Sequence, residues 1–263
     1  MTTLDLDGWK AFVDRLIEEP DLDVIGVKEK GSRFVFAPLG RASELRLDYD
    51  VTILPPKKEL LPPNEDLLTF DISKPFDVLA ARDERKKVLV GVHPYDLIAI
   101  NMMDAVYLGA HVDDNYEVRR RNTIIIASDI LNVPPKAFCA SLGTHTVEKG
   151  YDLLVTQLDD RYVVEEGTPA GTELLKRFAE TRESSPYDIE RVEKLREELP
   201  SRYQRGLHVD KYKWSEILEE NYEHPLWEEN ARKCLTCGTC TLVCPTCVCY
   251  DVHDEVELDL ERG

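Results

Sequence analysis

The sequence has little positive charge and no long apolar stretch. Its 263 residues include 33 Lys and Arg against 51 Asp and Glu, a formal net charge of -18. Proteins bind nucleic acids and anionic membrane surfaces through basic surfaces, so this balance argues against both kinds of partner. No apolar run approaches the roughly 20 residues of a membrane-spanning helix, and the N-terminus lacks the features of a signal peptide. We therefore expect a cytoplasmic protein with no membrane span and no nucleic-acid partner.

The chain also lacks a glycine-rich nucleotide fingerprint. No G-x-G-x-x-G follows either of its buried apolar runs, residues 87–92 and 122–128. Such a motif normally holds the pyrophosphate of a dinucleotide at the start of a helix. The sequence therefore predicts that neither flavin nor NAD(P) binds to this chain. No nucleophile or metal constellation surrounds His93 or His145, so both are interpreted as structural and no catalytic residue is assigned.

Cysteine is nearly absent outside one short stretch. Six of the seven cysteines lie in the sixteen residues from Cys234 to Cys249, and the seventh is Cys139. The first four of the stretch, with the spacing C-x2-C-x2-C-x3-C-P, are Cys234, Cys237, Cys240 and Cys244. This is the bacterial ferredoxin spacing for a [4Fe–4S] cluster, and three thiolates at a step of three can point at one cubane. The pattern predicts an iron–sulfur centre.

Clustered cysteines also occur in zinc sites and in disulfide frameworks. Zinc knots usually combine two separated C-x2-C pairs, or add histidines, whereas here three pairs overlap ahead of Pro245. Disulfides cluster in small secreted domains, and nothing in the sequence indicates secretion. The alternative that stays open is a non-redox interaction subunit with a structural zinc knot.

The fourth ligand of the cluster is ambiguous. In two-cluster ferredoxins the cysteine before the proline, here Cys244, binds the other cluster. The remaining ligands of that second cluster would come from a second run, which we expect beyond Gly263. Without a second run, a single cluster would take its fourth ligand from Cys244, Cys247 or Cys249.

We predict a ligand set of four cysteines with one in reserve. Cys247 and Cys249 alternate around Val248, so in an extended chain they face opposite ways. We expect Cys249 not to be a ligand and Cys247 to be the reserve. The predicted ligands are Cys234, Cys237, Cys240 and Cys244.

Two buried strands with a helix between them predict an α/β core. Residues 87–92 and 122–128 are near-continuous apolar runs, as in strands covered on both faces, and residues 97–103 between them are predicted to be helical. An amphipathic helix over residues 7–19 and hairpins over residues 23–37 and 152–165 accompany them.

The predicted fold class is α+β, in three parts. An α/β domain with a mixed sheet covers residues 1–170, a helical arm covers residues 171–230, and a ferredoxin-type segment covers residues 231–263. The arm is predicted to contain helices over residues 172–183, 186–199 and 209–221. Residues 214–230 carry six acids and no Lys or Arg, which suits a basic docking surface on a redox partner.

Two further stretches have both a structural and a functional interpretation. Residues 48–63 contain two Pro-Pro pairs, which predict extended chain and no helix. This stretch would be a surface loop, or a strap packed against a partner subunit. Residues 119–121 are three consecutive arginines, which would form a solvated face, or line a site for a cluster, a phosphate or an acidic partner.

Five stretches carry a family resemblance. They are residues 54–58 (LPPKK), 91–97 (GVHPYDL), 119–121 (RRR), 138–143 (FCASLG) and 234–249. Together they resemble the iron–sulfur beta subunits of cytoplasmic sulfhydrogenases and are similar to the A subunit of anaerobic sulfite reductases. The resemblance runs from about residue 48 to residue 254, and the cysteine run is its most specific part.

The resemblance implies an electron-transfer function. Members relay electrons between a flavin- and NAD(P)H-binding subunit and a catalytic hydrogenase or reductase subunit, and usually hold two [4Fe–4S] clusters in a C-terminal ferredoxin-type domain. This chain departs from the pattern at Tyr95, Asp129 and Ala137, where the family often has Cys, and at His93, where it often has Arg. We therefore expect one or two clusters in the C-terminal segment and none in residues 1–230, with Cys139 not a ligand.

Overall fold

The computed structural model describes residues 1–256, apart from the side chains of residues 75 and 76. Its ten strands are β1 (Thr2–Asp5), β2 (Leu22–Lys30), β3 (Arg33–Pro38), β4 (Leu68–Asp71), β5 (Lys74–Ala80), β6 (Lys86–Val92), β7 (Thr123–Ser128), β8 (Leu153–Gln157), β9 (Arg161–Glu166) and β10 (Arg182–Glu183). Its α-helices are α1 (Leu6–Ile17), α2 (Pro94–Tyr107), α3 (Asp114–Arg121), α4 (Cys139–Leu142), α5 (Pro169–Phe178), α6 (Pro186–Glu198), α7 (Trp214–Glu220), α8 (Leu226–Ala231) and α9 (Thr239–Val243). Within this part of the chain, no helix is both long and apolar enough to cross a membrane.

Eight strands form one mixed sheet in the order β10-β1-β9-β8-β7-β6-β2-β3. The central strands β2, β6, β7 and β8 are parallel, and antiparallel strands complete both sides. Strands β4 and β5 form a separate two-stranded sheet. The mixed α+β class predicted from the sequence is confirmed, as are the two buried strands and the hairpins β2–β3 and β8–β9.

Helices cover both faces of the sheet. Along β6, Val88 and Val90 pack in the cluster that includes α1 and α5, whereas Leu89 packs in the cluster that includes α2 and Tyr116 of α3. A register shift between Val90 and Val92, at Gly91 with a φ of 86°, turns Val92 to the side of Leu89. The bulge thus ends the regular alternation of β6 just before α2 begins.

Local sequence explains where the first two helices begin. Asp5 caps α1 by accepting a hydrogen bond from the Gly8 amide at 2.7 Å. Helix α1 buries four large apolar side chains, each of which contributes about 1.5–3 kcal/mol on full burial: Trp9, Phe12, Val13 and Leu16. Helix α2 begins at Pro94, three residues before the predicted start, because proline at the first helical position has no amide hydrogen that would need a partner.

The predicted helical arm differs from the structure in its first part. Helix α5 ends at Phe178, and residues 182–183 form β10 against β1 rather than the end of a helix. Helix α5 buries Leu174 and Leu175 in the same core cluster as α1. Helix α6 buries Val192 beside Val163 of β9. Both helices therefore pack on the sheet, while the division of the chain at residue 170 stays a prediction.

Two expectations about charged and proline-rich stretches are corrected. A 3-10 helix covers Pro56–Glu59, because a proline at the start of a helical turn needs no partner for its nitrogen. The arginine run is not a solvated face throughout: Arg121 is exposed, but Arg119 is buried. The Arg119 guanidinium donates to the Leu60 carbonyl at 2.6 Å and pairs with Glu65.

Candidate iron–sulfur site

The cysteine run begins in a surface loop between α8 and α9 and continues through α9 to Cys249. The Cys234 amide donates to the carbonyl of Ala231, the last residue of α8, at 3.0 Å. Cys240 lies in α9, and Cys244 is the C-terminal cap of that helix, with its amide donating to the Cys240 carbonyl at 3.0 Å. Cys234, Cys237 and Cys240 are exposed, and Cys244 is half-buried.

Two left-handed residues shape the loop between Cys234 and Cys240. Thr236 has a φ of 51° and Gly238 has a φ of 70°, and Gly238 is the N-terminal cap of α9. A Cβ at Gly238 would meet no protein atom within 4 Å, so the backbone conformation, not protein crowding, requires the glycine. Left-handed residues within tight turns orient successive backbone amides toward one side, as at many iron–sulfur sites.

Hydrogen-bond donors already point at two of the loop sulfurs. The Thr236 amide donates to Cys234 Sγ at 3.4 Å. The Thr239 hydroxyl lies 3.2 Å from Cys237 Sγ, and hydrogen bonding from Thr239 lowers the pKa of the Cys237 thiol. Such bonds favour the thiolate, which is the form that binds iron.

Cys247 and Cys249 follow a turn and do not lie in an extended chain. The Cys247 amide donates to the Cys244 carbonyl at 3.3 Å, so the chain turns after Pro245. Residues 247–249 belong to no strand. The Cys249 amide lowers the pKa of Cys247, whereas hydrogen bonding to Cys247 raises the pKa of Cys249. The opposite orientation is expected only of an extended chain and does not apply to this turn, so the exclusion of Cys249 as a ligand stays a prediction.

A shallow groove opens beside the ligand loop. It has a volume of about 420 Å³ and is lined by residues that include Cys237, Gly238, Cys249 and Tyr250. Leu235 is 86% exposed, and Leu242 and Val243 are also exposed. The apolar residues next to the cysteines thus face outward, where a partner could cover them.

The donor chemistry of the loop fits an iron–sulfur cluster. Six thiols, two left-handed backbone positions and amide donors to sulfur lie within the described part of the run. Among residues 1–256, no three His, Cys, Asp or Glu side chains converge as ligands of one metal ion. A cubane takes each thiolate on a different iron atom, whereas a tetrahedral zinc ion gathers all four around one point.

The other candidate residues lie on the sheet domain. Cys139 begins α4, and burial raises its pKa. His93 is fully buried, which lowers its pKa to about 3. His145 is half-buried, with its ring 6.4 Å from that of Tyr203. The structural roles of these residues stay predictions.

One residue at the site was missed in the sequence. Lys57, in the 3-10 helix after the first Pro-Pro pair, donates from Nζ to the Thr241 carbonyl at 2.9 Å and to the Cys247 carbonyl at 3.4 Å. Its position in the LPPKK stretch was the only signal, and nothing local shows that the stretch contacts residues about 190 positions later.

Comparisons with known proteins agree with the site. A family model described as a 4Fe-4S dicluster domain matches residues 233–262. Sulfhydrogenase 2 subunit beta of Pyrococcus furiosus is 34% identical over 233 residues, which are 88% of this chain and 68% of that protein. No solved structure is significantly similar to the chain. An alignment of 233 of the 263 residues includes most of the part of the chain that forms the sheet. The chain therefore belongs to the family of sulfhydrogenase beta subunits.

Proposed function

We propose that this chain is the iron–sulfur electron-transfer subunit of a multi-subunit cytoplasmic oxidoreductase. It relays electrons between a flavin- and NAD(P)H-binding subunit and a catalytic subunit of the hydrogenase, sulfur reductase or sulfite reductase type. The observation that carries the proposal is the ferredoxin-spaced run within the 4Fe-4S dicluster match, folded as a surface loop with exposed thiols. A cluster at the surface exchanges electrons with a partner without needing a substrate pocket.

The ligands that would hold the first cluster come from the loop and α9. Cys234, Cys237 and Cys240 lie at a step of three around the left-handed turn. Cys244 would bind a cluster as well, either this one or a second, and Cys247 is the reserve. When bound, the cluster supplies one-electron chemistry, and the chain's own part is to provide thiolates, amide hydrogen bonds to sulfur and an approach for the partner.

The surface around the run suits a partner with a basic rim and an apolar centre. Leu235 and Tyr250 are exposed beside the ligand loop. Acidic residues on α7 and α8 are exposed near it in sequence, including Glu216, Glu219 and Glu228. Opposite charge on the partner would speed association, and this effect weakens with salt.

We further propose that flavin and NAD(P) bind to the partner and not to this chain. Strand β6 leads into α2 through His93-Pro94 and not through a glycine-rich turn. Proline at the first helical position removes one of the amides that would hold a phosphate. Isolated subunit that releases stoichiometric flavin on denaturation would contradict this assignment.

The second candidate function is a non-redox interaction subunit with a structural zinc knot. Zinc knots usually combine two separated C-x2-C pairs or add histidines, and the three overlapping pairs ahead of Pro245 do not have that spacing. The family match favours iron over zinc.

One experiment separates the two functions. The subunit is purified anaerobically, and iron, acid-labile sulfide and zinc are measured per chain. We expect iron and sulfide in equal amounts, broad absorbance at roughly 400 nm from sulfur-to-iron charge transfer, and an electron paramagnetic resonance signal after dithionite reduction. Stoichiometric zinc without iron, and no visible absorbance, would overturn the proposal. Mass spectrometry of the co-purifying subunits then tests the partners.

A further inference from the structure

Lys57 joins the sheet domain to the cysteine run. Lys57 is 7% exposed and lies in the 3-10 helix over Pro56–Glu59. The Nζ atom donates to the carbonyl of Thr241, in α9 between Cys240 and Cys244, and to the carbonyl of Cys247. One ammonium group therefore contacts the backbone on both sides of Cys244.

This ammonium group is buried without a carboxylate partner among the described residues. No Asp or Glu oxygen in residues 1–256 lies within 4.0 Å of Lys57 Nζ, whereas the neighbouring Lys58 pairs with Glu59 at 3.1 Å. Burying an ammonium group is costly unless an anion compensates it. Two carbonyl oxygens satisfy hydrogen bonds but bring no negative charge.

The missing negative charge fits the cluster that the adjacent cysteines would bind. Four thiolates around an oxidised cubane form a dianion, and reduction by one electron makes it a trianion. A cation held in a part-buried site next to this anion interacts with the reduced form more strongly than with the oxidised form, because water screens it less there.

We propose that Lys57 places a positive charge beside the cluster-binding loop and thereby makes its cluster easier to reduce. The inference rests on the proposed function. The step that it favours is uptake of one electron by the oxidised cluster from the donor, dithionite in the test below, with no bond made or broken in the chain. Removal of the charge destabilises the reduced form, so the reduction potential falls.

Three substitutions of Lys57 and one control separate charge from packing. Lys57→Met removes the charge and the donors, Lys57→Gln removes the charge but keeps N–H donors, and Lys57→Arg keeps the charge. Lys58→Met is the matched control, because Lys58 Nζ donates to the Phe36 carbonyl at 2.8 Å and not to the cysteine run. Each protein is purified anaerobically, its iron is counted, and its cluster signal is titrated with dithionite against potential.

We expect Lys57→Met and Lys57→Gln to shift the reduced-to-oxidised ratio at fixed potential by about tenfold toward the oxidised form, which is about 59 mV for one electron. Lys57→Arg and Lys58→Met should titrate as wild type. A Lys57→Gln protein with a wild-type potential would overturn the inference, as would loss of iron from all three Lys57 variants in folded protein, since either result would show a merely structural contact. If Lys57→Met fails to fold, the difference in reduction potential between Lys57→Gln and Lys57→Arg tests the inference. Absence of iron from wild-type protein would instead refute the proposed function.

Discussion

Tyr49 and His93 stack face to face, with ring centroids 3.9 Å apart and ring planes 8° from parallel. The Tyr49 hydroxyl donates to the Gly91 carbonyl at 2.7 Å, and His93 Nδ1 lies 2.9 Å from the Tyr95 hydroxyl. Burial keeps His93 neutral, with a pKa of about 3, and raises the pKa of the nearby Asp96 carboxyl to about 7. Two buried titratable groups thus follow β6, and they have opposite effects on stability as pH changes.

The first prediction concerns Asp96. Between about pH 4 and pH 7 the folded state holds the Asp96 proton and the unfolded state has lost it, so the buried carboxyl makes stability fall as pH rises. Asp96→Asn removes this dependence. Relative to wild type, its free energy of unfolding should be about 4 kcal/mol higher at pH 8 than at pH 4, so the variant is relatively more stable at the higher pH. Anaerobic urea unfolding measures this difference.

Burial of neutral His93 makes the protein less stable as the pH falls. This effect is the same in wild type and in Asp96→Asn, so it cancels in the difference between their free energies of unfolding. Asp21→Asn, at an exposed position, is the control and should show the same difference from wild type at both pH values. A pH-independent effect of Asp96→Asn would show that Asp96 is already ionised at pH 4 in the folded protein.

The second prediction concerns the buried arginine. Arg119→Met leaves the Leu60 carbonyl and the Glu65 carboxylate without the guanidinium that they share. Breaking a buried pair from one side costs about 3–5 kcal/mol, which a urea titration measures as a lower unfolding midpoint. Arg121→Met, at an exposed position of the same helix, should change stability by less than about 0.5 kcal/mol. Equal effects of the two substitutions would contradict the buried role of Arg119.

The third prediction is that Cys139 binds no cluster. Its thiol is half-buried at the start of α4, and burial raises its pKa. Cys139→Ser keeps the size and a hydrogen-bonding group, so the iron content per chain should equal that of wild type. Cys240→Ser is the comparison and should lower the iron content. Loss of iron from Cys139→Ser in folded protein would show a cluster in the sheet domain.

The fourth prediction separates Cys244 from Cys249. Cys244 caps α9 directly behind the loop, whereas Cys249 is exposed across the groove and its pKa is raised by Cys247. Cys244→Ser should lower the iron content and alter the resonance signal of the reduced cluster. Cys249→Ser should leave both unchanged. The reverse outcome would assign Cys249 as the ligand.

The sheet was predictable where local patterns dominate its structure. The continuous apolar run predicts β6, and the helical spacing of apolar residues predicts α1. Both elements lie within a few residues of the predicted bounds. Strand β10 was missed because only two residues form it and its pairing with β1 lies about 180 residues away. A two-residue strand has no period to recognise.

The site was predictable in its residues and less so in its surroundings. Cysteine spacing in a short loop is a local property, so the run itself was found. The contacts of Lys57 with Thr241 and Cys247, and of Arg119 with Glu65, depend on how distant segments meet. The chain turns after Pro245, so the alternation of side chains expected of an extended chain does not apply to Cys247 and Cys249.

The position of β1 inside the sheet sets an order for folding during synthesis. Residues 2–5 leave the ribosome early, but their partners, residues 161–166 and 182–183, emerge much later. The sheet thus depends on long-range pairing, which folds slowly. Both partners are translated before Cys234, so the sheet described here has its last strand before the first thiol of the cysteine run appears. All strands of the described sheet are therefore synthesised before the cysteines that would receive the cluster.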